Sequence, residues 1–428
     1  MSDVIAVITA GGKGTRVASV NSSVPKPMLD VAGKPVLQHQ IECLKQQGIS
    51  DIILTIGHLG DQIQSFFGDG QTFGVRIRYV REEIPLGTAG ALYYLKELLK
   101  EDFLLINGDL IFDVDLHRMM AFHHACKAMA TLLVHPNDHP YDSGLVVADD
   151  DGCVRSWLTK EDKRVWYQNC VNAGIHVLSP QLLCGLTEAK KTDLDREILR
   201  PQIPQGRVFA YRSPEYVKDM GTPERIKEVE RDLETGLVHK KNLSQQQRAV
   251  FLDRDGTINR YVGFLRKIED FTLLDGVAEA VHKLNRSGYL AIVVTNQPVI
   301  ARGEVTWDEL REIHRKMETL LGREGAYIDD IFICPHHPDK GFAGERVEYK
   351  IRCDCRKPNP GMLLEAAQKY SIDLKKSWMI GDTMQDIQAG QAAGCQTLLL
   401  QEGYGLLEAV NQIVSEEKQE YEEKIVAV

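Results

Sequence analysis

Residues 250–257 read Val250-Phe251-Leu252-Asp253-Arg254-Asp255-Gly256-Thr257, an apolar run that breaks into two carboxylates one residue apart. Such a run is a buried strand as far as Leu252, and side chains two apart on an extended chain point the same way. Asp253 and Asp255 are therefore expected to project together from the carboxyl end of the strand, the edge at which open α/β sheets bind ligands. There they can share one divalent cation or one substrate. Asp-Gly alone is ordinary turn chemistry; D-x-D-G-T behind an apolar strand is far more specific. About 250 residues precede it, too many to extend a single domain of this kind, and 428 residues favour two or three domains.

The stretch resembles the nucleophile motif of the haloacid-dehalogenase-like phosphatases. The resemblance implies that Asp253 attacks phosphorus and that Asp255 is the general acid/base. The chemistry agrees, since a carboxylate can be a covalent nucleophile and a metal brings a phosphate dianion against it. Leu290–Thr295 reads as the next strand, ending in Thr295-Asn296-Gln297, which resembles the family's second motif, a hydroxyl holding the phosphoryl group. Ile300-Ala301-Arg302-Gly303 follows, with Pro298-Val299 where related sugar-bisphosphate phosphatases usually carry Ser-Gly. By the same resemblance Lys357, beside Arg356, stabilises the aspartyl-phosphate. Trp378–Ile380 is the last strand and ends at Asp382, the remaining magnesium ligand, with Asp386 one helical turn behind it. This likeness covers about 249–405.

Cys334-Pro335-His336-His337 and Cys353-Asp354-Cys355 together offer three sulfurs and an imidazole, a full tetrahedral zinc shell. A full shell is structural and not catalytic, and it can order two loops without a large core. The resemblance favours His336 as the ligand over its neighbour His337. Nine cysteines in so long a chain do not make a disulfide framework.

The first half opens with a strand at Val4–Ala10 and then Gly11-Gly12-Lys13-Gly14-Thr15-Arg16, a loop whose backbone N–H groups can approach phosphates. Val24-Pro25-Lys26-Pro27-Met28 follows, two prolines stiffening the backbone around a lysine. G-G-x-G-T-R and then P-K-P-M resembles the sugar-phosphate nucleotidylyltransferases. Strands at Ile52–Ile56, Val75–Val80 and Phe103–Ile106 fit that family, and so do Pro85-Leu86-Gly87-Thr88-Ala89-Gly90, Asn107-Gly108-Asp109, Asn172-Ala173-Gly174-Ile175 and Asp219-Met220-Gly221-Thr222. The resemblance implies that Gly11, Gly12, Gly14, Thr15, Gly87, Thr88, Asn172 and Gly174 contact substrate, that Arg16 and Lys26 offset triphosphate charge, and that Asp109 and Asp219 hold magnesium. Lys160 stands where the family usually has Glu-Lys, but Thr159 precedes it. This likeness covers roughly 3–235.

The expected fold class is α/β: two Rossmann-like domains, each a largely parallel sheet covered by helices. A nucleotidyltransferase domain is placed at 1–235, a helix tail or linker at 236–248, and a phosphatase domain with a zinc-binding loop at 249–428. The second half most resembles D-glycero-D-manno-heptose 1,7-bisphosphate 7-phosphatases, with histidinol phosphatases as relatives. The first resembles heptose 1-phosphate and mannose 1-phosphate guanylyltransferases. Together they imply a bifunctional enzyme of nucleotide-activated heptose synthesis using Mg2+ at both sites and Zn2+ in the second domain. Substrates would be sugar phosphates, with Thr295, Asn296, Arg302 and Arg356 as phosphatase contacts, and a nucleoside triphosphate. The same chemistries on a mannose-type sugar, a histidinol-phosphatase-like second half, or a sugar-nucleotide-binding regulator with one inactive half are the alternatives. A net charge of −10 argues against nucleic acid. No apolar run approaches membrane-spanning length, and the first residues lack the basic region of a signal peptide, so a cytoplasmic location is expected. Homo-oligomerisation is left open.

Overall fold

The computed structural model describes residues 4–12, 24–159, 161–341 and 343–426, with side chains to residue 416. The first apolar run forms β1 (Ile5–Ala10), in which Ala6, Val7 and Ile8 are fully buried, as a central parallel strand requires. A hairpin of β2 (Asp30–Val31) and β3 (Lys34–Pro35) leads into α1 (Val36–Gln46), whose Leu37, Ile41 and Leu44 bury one face at helical spacing. Then come β4 (Asp51–Ile56), α2 (Gly60–Phe67), β5 (Arg76–Arg81), β6 (Phe103–Asn107), β7 (Leu110–Asp113), α3 (Leu116–Cys126) and β8 (Ala130–His135). They are followed by β9 (Leu145–Ala148), β10 (Val154–Leu158), β11 (Val171–Leu178), β12 (Val208–Arg212), β13 (Tyr216–Asp219), α4 (Pro223–Glu234) and α5 (Leu237–Lys240).

The main sheet of this unit has the order β10-β9-β11-β6-β1-β4-β5, with β8 pairing β11 and β12. Its β6-β1-β4-β5 portion is parallel, and β11 runs antiparallel to β6. The chain goes outward from β1 through β4 to β5 and places β6 on the other side of β1. Strand order therefore reverses between β1 and β6, the kind of crevice in which open α/β sheets take ligands. A separate ribbon pairs β7 with β13 and sets Asp219 opposite Leu110.

The second unit is built on β14 (Arg248–Leu252), α6 (Val277–Ser287), β15 (Tyr289–Asn296), α7 (Trp307–Arg323), β16 (Asp330–Cys334), α8 (Gly361–Tyr370), β17 (Trp378–Gly381), α9 (Met384–Ala393), β18 (Gln396–Leu399) and α10 (Leu406–Val426). All its strand pairs are parallel, in the order β16-β15-β14-β17-β18. Alternation along β14 sends Val250 and Leu252 into the core under α6, α7 and α10, and Ala249 and Phe251 into the core under α8. With β15 on one side of β14 and β17 on the other, the reversal again falls at the central strand.

The two compact units are interleaved in sequence. The first holds 1–135, 146–158 and 171–242; the second holds 136–145, 159–170 and 243–428. Within the second, the Tyr167 N–H donates to the Thr319 hydroxyl (2.9 Å), which donates back to the Tyr167 carbonyl (3.2 Å). Trp166 lies beneath Lys316 and Arg323 of α7, at 5.5 and 5.6 Å from the ring centroid. Periodicity carries no sign of this threading. The stretch read as a helix tail or linker is packed: Leu237 and Val238 are buried, Asn242 donates to Asp113 (2.5 Å), and the Gln247 N–H donates to the Ser371 carbonyl (2.9 Å). No helix among the described residues is long and apolar enough to cross a membrane.

Candidate active sites

In the second unit the carboxyl ends of three adjacent parallel strands deliver the charged groups. Asp253 follows β14, Thr295 and Asn296 end β15, and Asp382 follows β17. Lys357 is almost wholly buried, and its ammonium forms ion pairs with Asp253 (2.7 Å) and Asp386 (2.6 Å) and donates to the Val294 carbonyl (2.8 Å). The side chain of Asn296 brackets the same lysine's backbone, accepting from its N–H and donating to its carbonyl, each at 3.1 Å. Gly256, at φ +91°, lets Asp382 come close; a Cβ there would lie 2.0 Å from a carboxylate oxygen of Asp382.

Oxygens of Asp253, Asp382 and Asp386 lie within 4.8 Å of one another. Burial pushes the Asp253 carboxyl up, to about 6, against the pull of Lys357, and burial with repulsion from Asp386 raises Asp382 as well. The buried Oδ1 of Asp382 has no hydrogen-bond partner. A crowded carboxylate set with an oxygen to spare fits a divalent cation. Asp386, expected only as support one turn behind, stands inside this set. Asp255, expected among the ligands, has its carboxylate engaged elsewhere: by Arg254 (2.7–3.2 Å), Asn259 (3.0 Å) and Gln297 (2.8 Å). Burial opposes ionisation of Asp255, but the Arg254 guanidinium wins and holds it below the ordinary carboxylate range.

Thr295 is buried and its hydroxyl accepts from Gln297 (2.8 Å). Arg302 stacks on Phe264, 4.1 Å from the ring centroid, and Arg356 donates to the His336 carbonyl (3.2 Å). At the departure from the family pattern Val299 is buried with Ile300, Val305 and Leu310, so the turn that carries Arg302 is anchored on an apolar cluster.

Cys334, His336, Cys353 and Cys355 converge. Their ligand atoms stand 3.2–3.7 Å apart, close to the edges of a tetrahedron with metal–sulfur bonds of about 2.3 Å. The hydrogen bond with Cys334 holds the Cys355 thiol down, to about 5, which is the thiolate character a ligand needs. His337 instead points its ring at Asp339 (3.8 Å). The donor set can hold zinc.

In the first unit Asp109 follows β6 beside the carboxyl end of β1, and the Gly108 N–H donates to the Thr9 carbonyl (3.0 Å). Asp109 pairs with Lys26, and Asp219 takes a guanidinium nitrogen of Arg225 at 2.6 and 2.7 Å. Backbone pairing joins the two acids, since the Met220 N–H donates to the Asp109 carbonyl (2.8 Å). Gly174, at φ +77°, gives Asn107 room: a Cβ there would meet its amide nitrogen at 2.4 Å. Asn172 accepts from the Gly174 N–H (3.3 Å). Gly87 is at φ +77° and bridges to Thr192, while the Thr88 hydroxyl accepts from the Leu194 N–H (2.7 Å). Gly11 lies against Glu82, and Gly12 faces open space. Gly14, Thr15, Arg16 and Lys160 fall outside the described residues.

Sequence reading missed several supports. Gln40 donates to the carbonyls of Asn107 (2.9 Å) and Leu110 (2.8 Å), bracing the turn that bears Asp109. Glu82 accepts from the Leu86 N–H (3.0 Å). Arg254 is fully buried and donates to His314 (3.0 Å). A lone glutamine on a helix or a histidine 60 positions away leaves no local signal.

A nucleotidyl transferase family model matches residues 5–236, more than half of the chain, and a HAD-hydrolase-like model matches 354–421. D-glycero-beta-D-manno-heptose-1,7-bisphosphate 7-phosphatase of Photorhabdus laumondii is 45% identical over 158 residues, 37% of this chain and 82% of that protein. D-glycero-alpha-D-manno-heptose-1,7-bisphosphate 7-phosphatase of Burkholderia mallei is 44% identical over 155 residues, 36% of this chain and 80% of that protein. Among solved structures, HddC from Yersinia pseudotuberculosis is 27% identical with a TM-score of 0.47, covering 54% of this chain and 99% of its own.

Proposed function

Because the chain belongs to the nucleotidyl transferase family through residues 5–236 and to the heptose 1,7-bisphosphate 7-phosphatases through its second half, we propose that it performs two consecutive steps of nucleotide-activated heptose synthesis. Removal of the 7-phosphate leaves a heptose 1-phosphate, and transfer of a nucleoside monophosphate to that product releases pyrophosphate. The observation that carries this reading is the union in one chain of two families whose product and substrate match. The working division is 1–235, 236–248 and 249–428, with 136–145 and 159–170 lent to the second unit.

In the phosphatase, an Asp253 oxygen attacks phosphorus while the bond to the C7 oxygen breaks, and that oxygen takes the proton of Asp255. The substrate dianion raises the proton affinity of Asp255, which Arg254 otherwise holds ionised. Water then attacks the aspartyl-phosphate, Asp255 takes its proton, and Asp253 is released with inorganic phosphate. Lys357, fixed by Asn296, stabilises charge on the transferring group. Magnesium held by Asp253 and Asp382 would offset the dianion's charge, and zinc in the Cys/His set would be structural.

In the transferase, the sugar 1-phosphate oxygen attacks the α-phosphorus, and the α–β bond breaks with its electrons leaving on pyrophosphate. No covalent enzyme intermediate is required, so positioning and electrostatics do the work. Lys26 and Arg16 offset charge, and Asp109 and Asp219 would hold magnesium. Asp109→Ala is expected to abolish pyrophosphate release while phosphate release survives, measured on the same preparation. Loss of both activities would argue against two independent sites.

Tethering the two steps raises the local concentration of the intermediate, which serves best if the phosphatase yields the anomer the transferase accepts. Relatives named for either anomer are similarly identical to this chain. The Leu86–Gly90 resemblance to guanylyltransferases supports an α-1-phosphate and GTP. Turnover with separately prepared anomers and the four triphosphates tests this; a β preference with ATP overturns it. A cytoplasmic location goes with these substrates.

A further inference from the structure

We propose that His314, on α7, is a positioning residue for the acid–base step of the phosphatase, acting through Arg254. The inference rests on the reading of Asp255 as the acid/base group. Arg254 lies between the two carboxylates in sequence and is fully buried. Its side chain folds back, so that Nε and Nη2 grip Asp255 at 3.2, 2.9 and 2.7 Å. That uses one edge of a rigid planar fork. Nη1 is left to donate to Nε2 of His314, at 3.0 Å.

The histidine must be neutral to accept. Burial pushes its ring down, to about 3, and the neighbouring guanidinium pushes in the same direction, so Nε2 keeps its lone pair. Asn259 and Gln297 hold Asp255 from other sides, but only Arg254 brings a charge. Without an acceptor at 314, a buried N–H of Arg254 is unsatisfied and the fork turns to find one. The grip on Asp255 then loosens. Asp253 accepts from the backbone N–H of Arg254 (2.7 Å) rather than from its side chain, and Lys357 is held by Asp253, Asp386 and the Val294 carbonyl, so these groups are expected to keep their places.

In the first step, formation of the aspartyl-phosphate, a loosened acid is felt only where the leaving group needs a proton; the later hydrolysis, in which Asp255 is the base, is common to all substrates. The C7 alkoxide of a heptose bisphosphate needs one; p-nitrophenolate, a weak base, departs without it. The test compares the pre-steady-state rate of leaving-group release, which reports aspartyl-phosphate formation alone, for full-length His314→Leu, His314→Asn and His314→Gln on D-glycero-D-manno-heptose 1,7-bisphosphate and on p-nitrophenyl phosphate. His314→Leu is expected to lose about ten-fold or more on the bisphosphate and less than about three-fold on the nitrophenyl ester, within the usual range for acid–base groups. His314→Gln, whose amide oxygen can accept from Nη1, is expected to recover most of the loss. If the leucine variant does not fold, the asparagine variant, with its acceptor drawn back, must show the same substrate-selective loss. Equal loss on both substrates, or none on either, overturns the proposal. Asp255→Asn separates the two readings. If it too falls equally on both substrates, the assignment of Asp255 has failed. If it is selective while the His314 variants are not, only the role of His314 is lost.

Discussion

Asp253→Asn is expected to end phosphate release from the heptose bisphosphate while pyrophosphate release from a supplied sugar 1-phosphate and nucleoside triphosphate continues. Loss of a covalent nucleophile typically costs roughly four to six orders of magnitude in turnover. The amide has the carboxylate's shape, so the pocket keeps its form. Lys357 retains Asp386 and the Val294 carbonyl as partners. One of three crowded carboxylates loses its charge, which eases repulsion among Asp253, Asp382 and Asp386. The variant should therefore melt no lower than the parent in metal-free buffer, and that separates a chemical defect from a folding one. Appreciable phosphatase activity in pure, folded Asp253→Asn would remove Asp253 from the nucleophile role.

Loss of the Cys/His clasp should reach further than its distance from phosphorus suggests. Cys353→Ser replaces one of four converging ligand-capable side chains; elemental analysis is expected to find about one zinc per chain in the parent and none in the variant. The clasp joins the end of β16 to the loop that carries Lys357. Arg356 donates to the His336 carbonyl (3.2 Å), Asn359 to the Cys353 carbonyl (2.9 Å), and the Gly361 N–H to the Asp354 carbonyl (2.9 Å). With the metal gone these bonds have no fixed frame, and the ammonium of Lys357 loses its position. Phosphatase activity should fall by about 10- to 100-fold, the usual scale when a group that orients a site is removed. The melting transition of the second unit should move down while transferase activity is unchanged. Zinc-free protein from wild-type expression, with full phosphatase activity, would end this account.

What could be read from the sequence was whatever is local along the chain. Strand ends, two-residue carboxylate spacing and short Cys/His spacings survive translation into one dimension because the chain itself sets them. The strand that ends before Asp253 and the convergence of His336 with Cys334, Cys353 and Cys355 were legible for that reason. Partners brought in by packing were not. Nothing near Asp255 announces Arg254 as its clamp, because an arginine between two acids reads equally well as a solvated residue. Nothing near α7 announces that His314 must accept from that arginine. The entry of Asp386 into the carboxylate set follows from the close fit of α9 on β17: a Cβ at Gly381 would lie 2.4 Å from its carboxyl. The threading of 136–145 and 159–170 into the second unit has no periodic signature at all.

That threading bears on how the protein is made. Translation delivers Trp166 and Tyr167 well before their anchors, and Thr319 lies 152 positions downstream of Tyr167. At roughly 5–20 residues per second, the segment emerges about 8–30 s before its partner helix exists. During that interval the first unit can close its own sheet, but two of its excursions must wait with aromatic surface uncovered. A gene cut at the junction would leave 136–145 and 159–170 on the first product, apart from the α7 surface that Trp166 and Tyr167 meet.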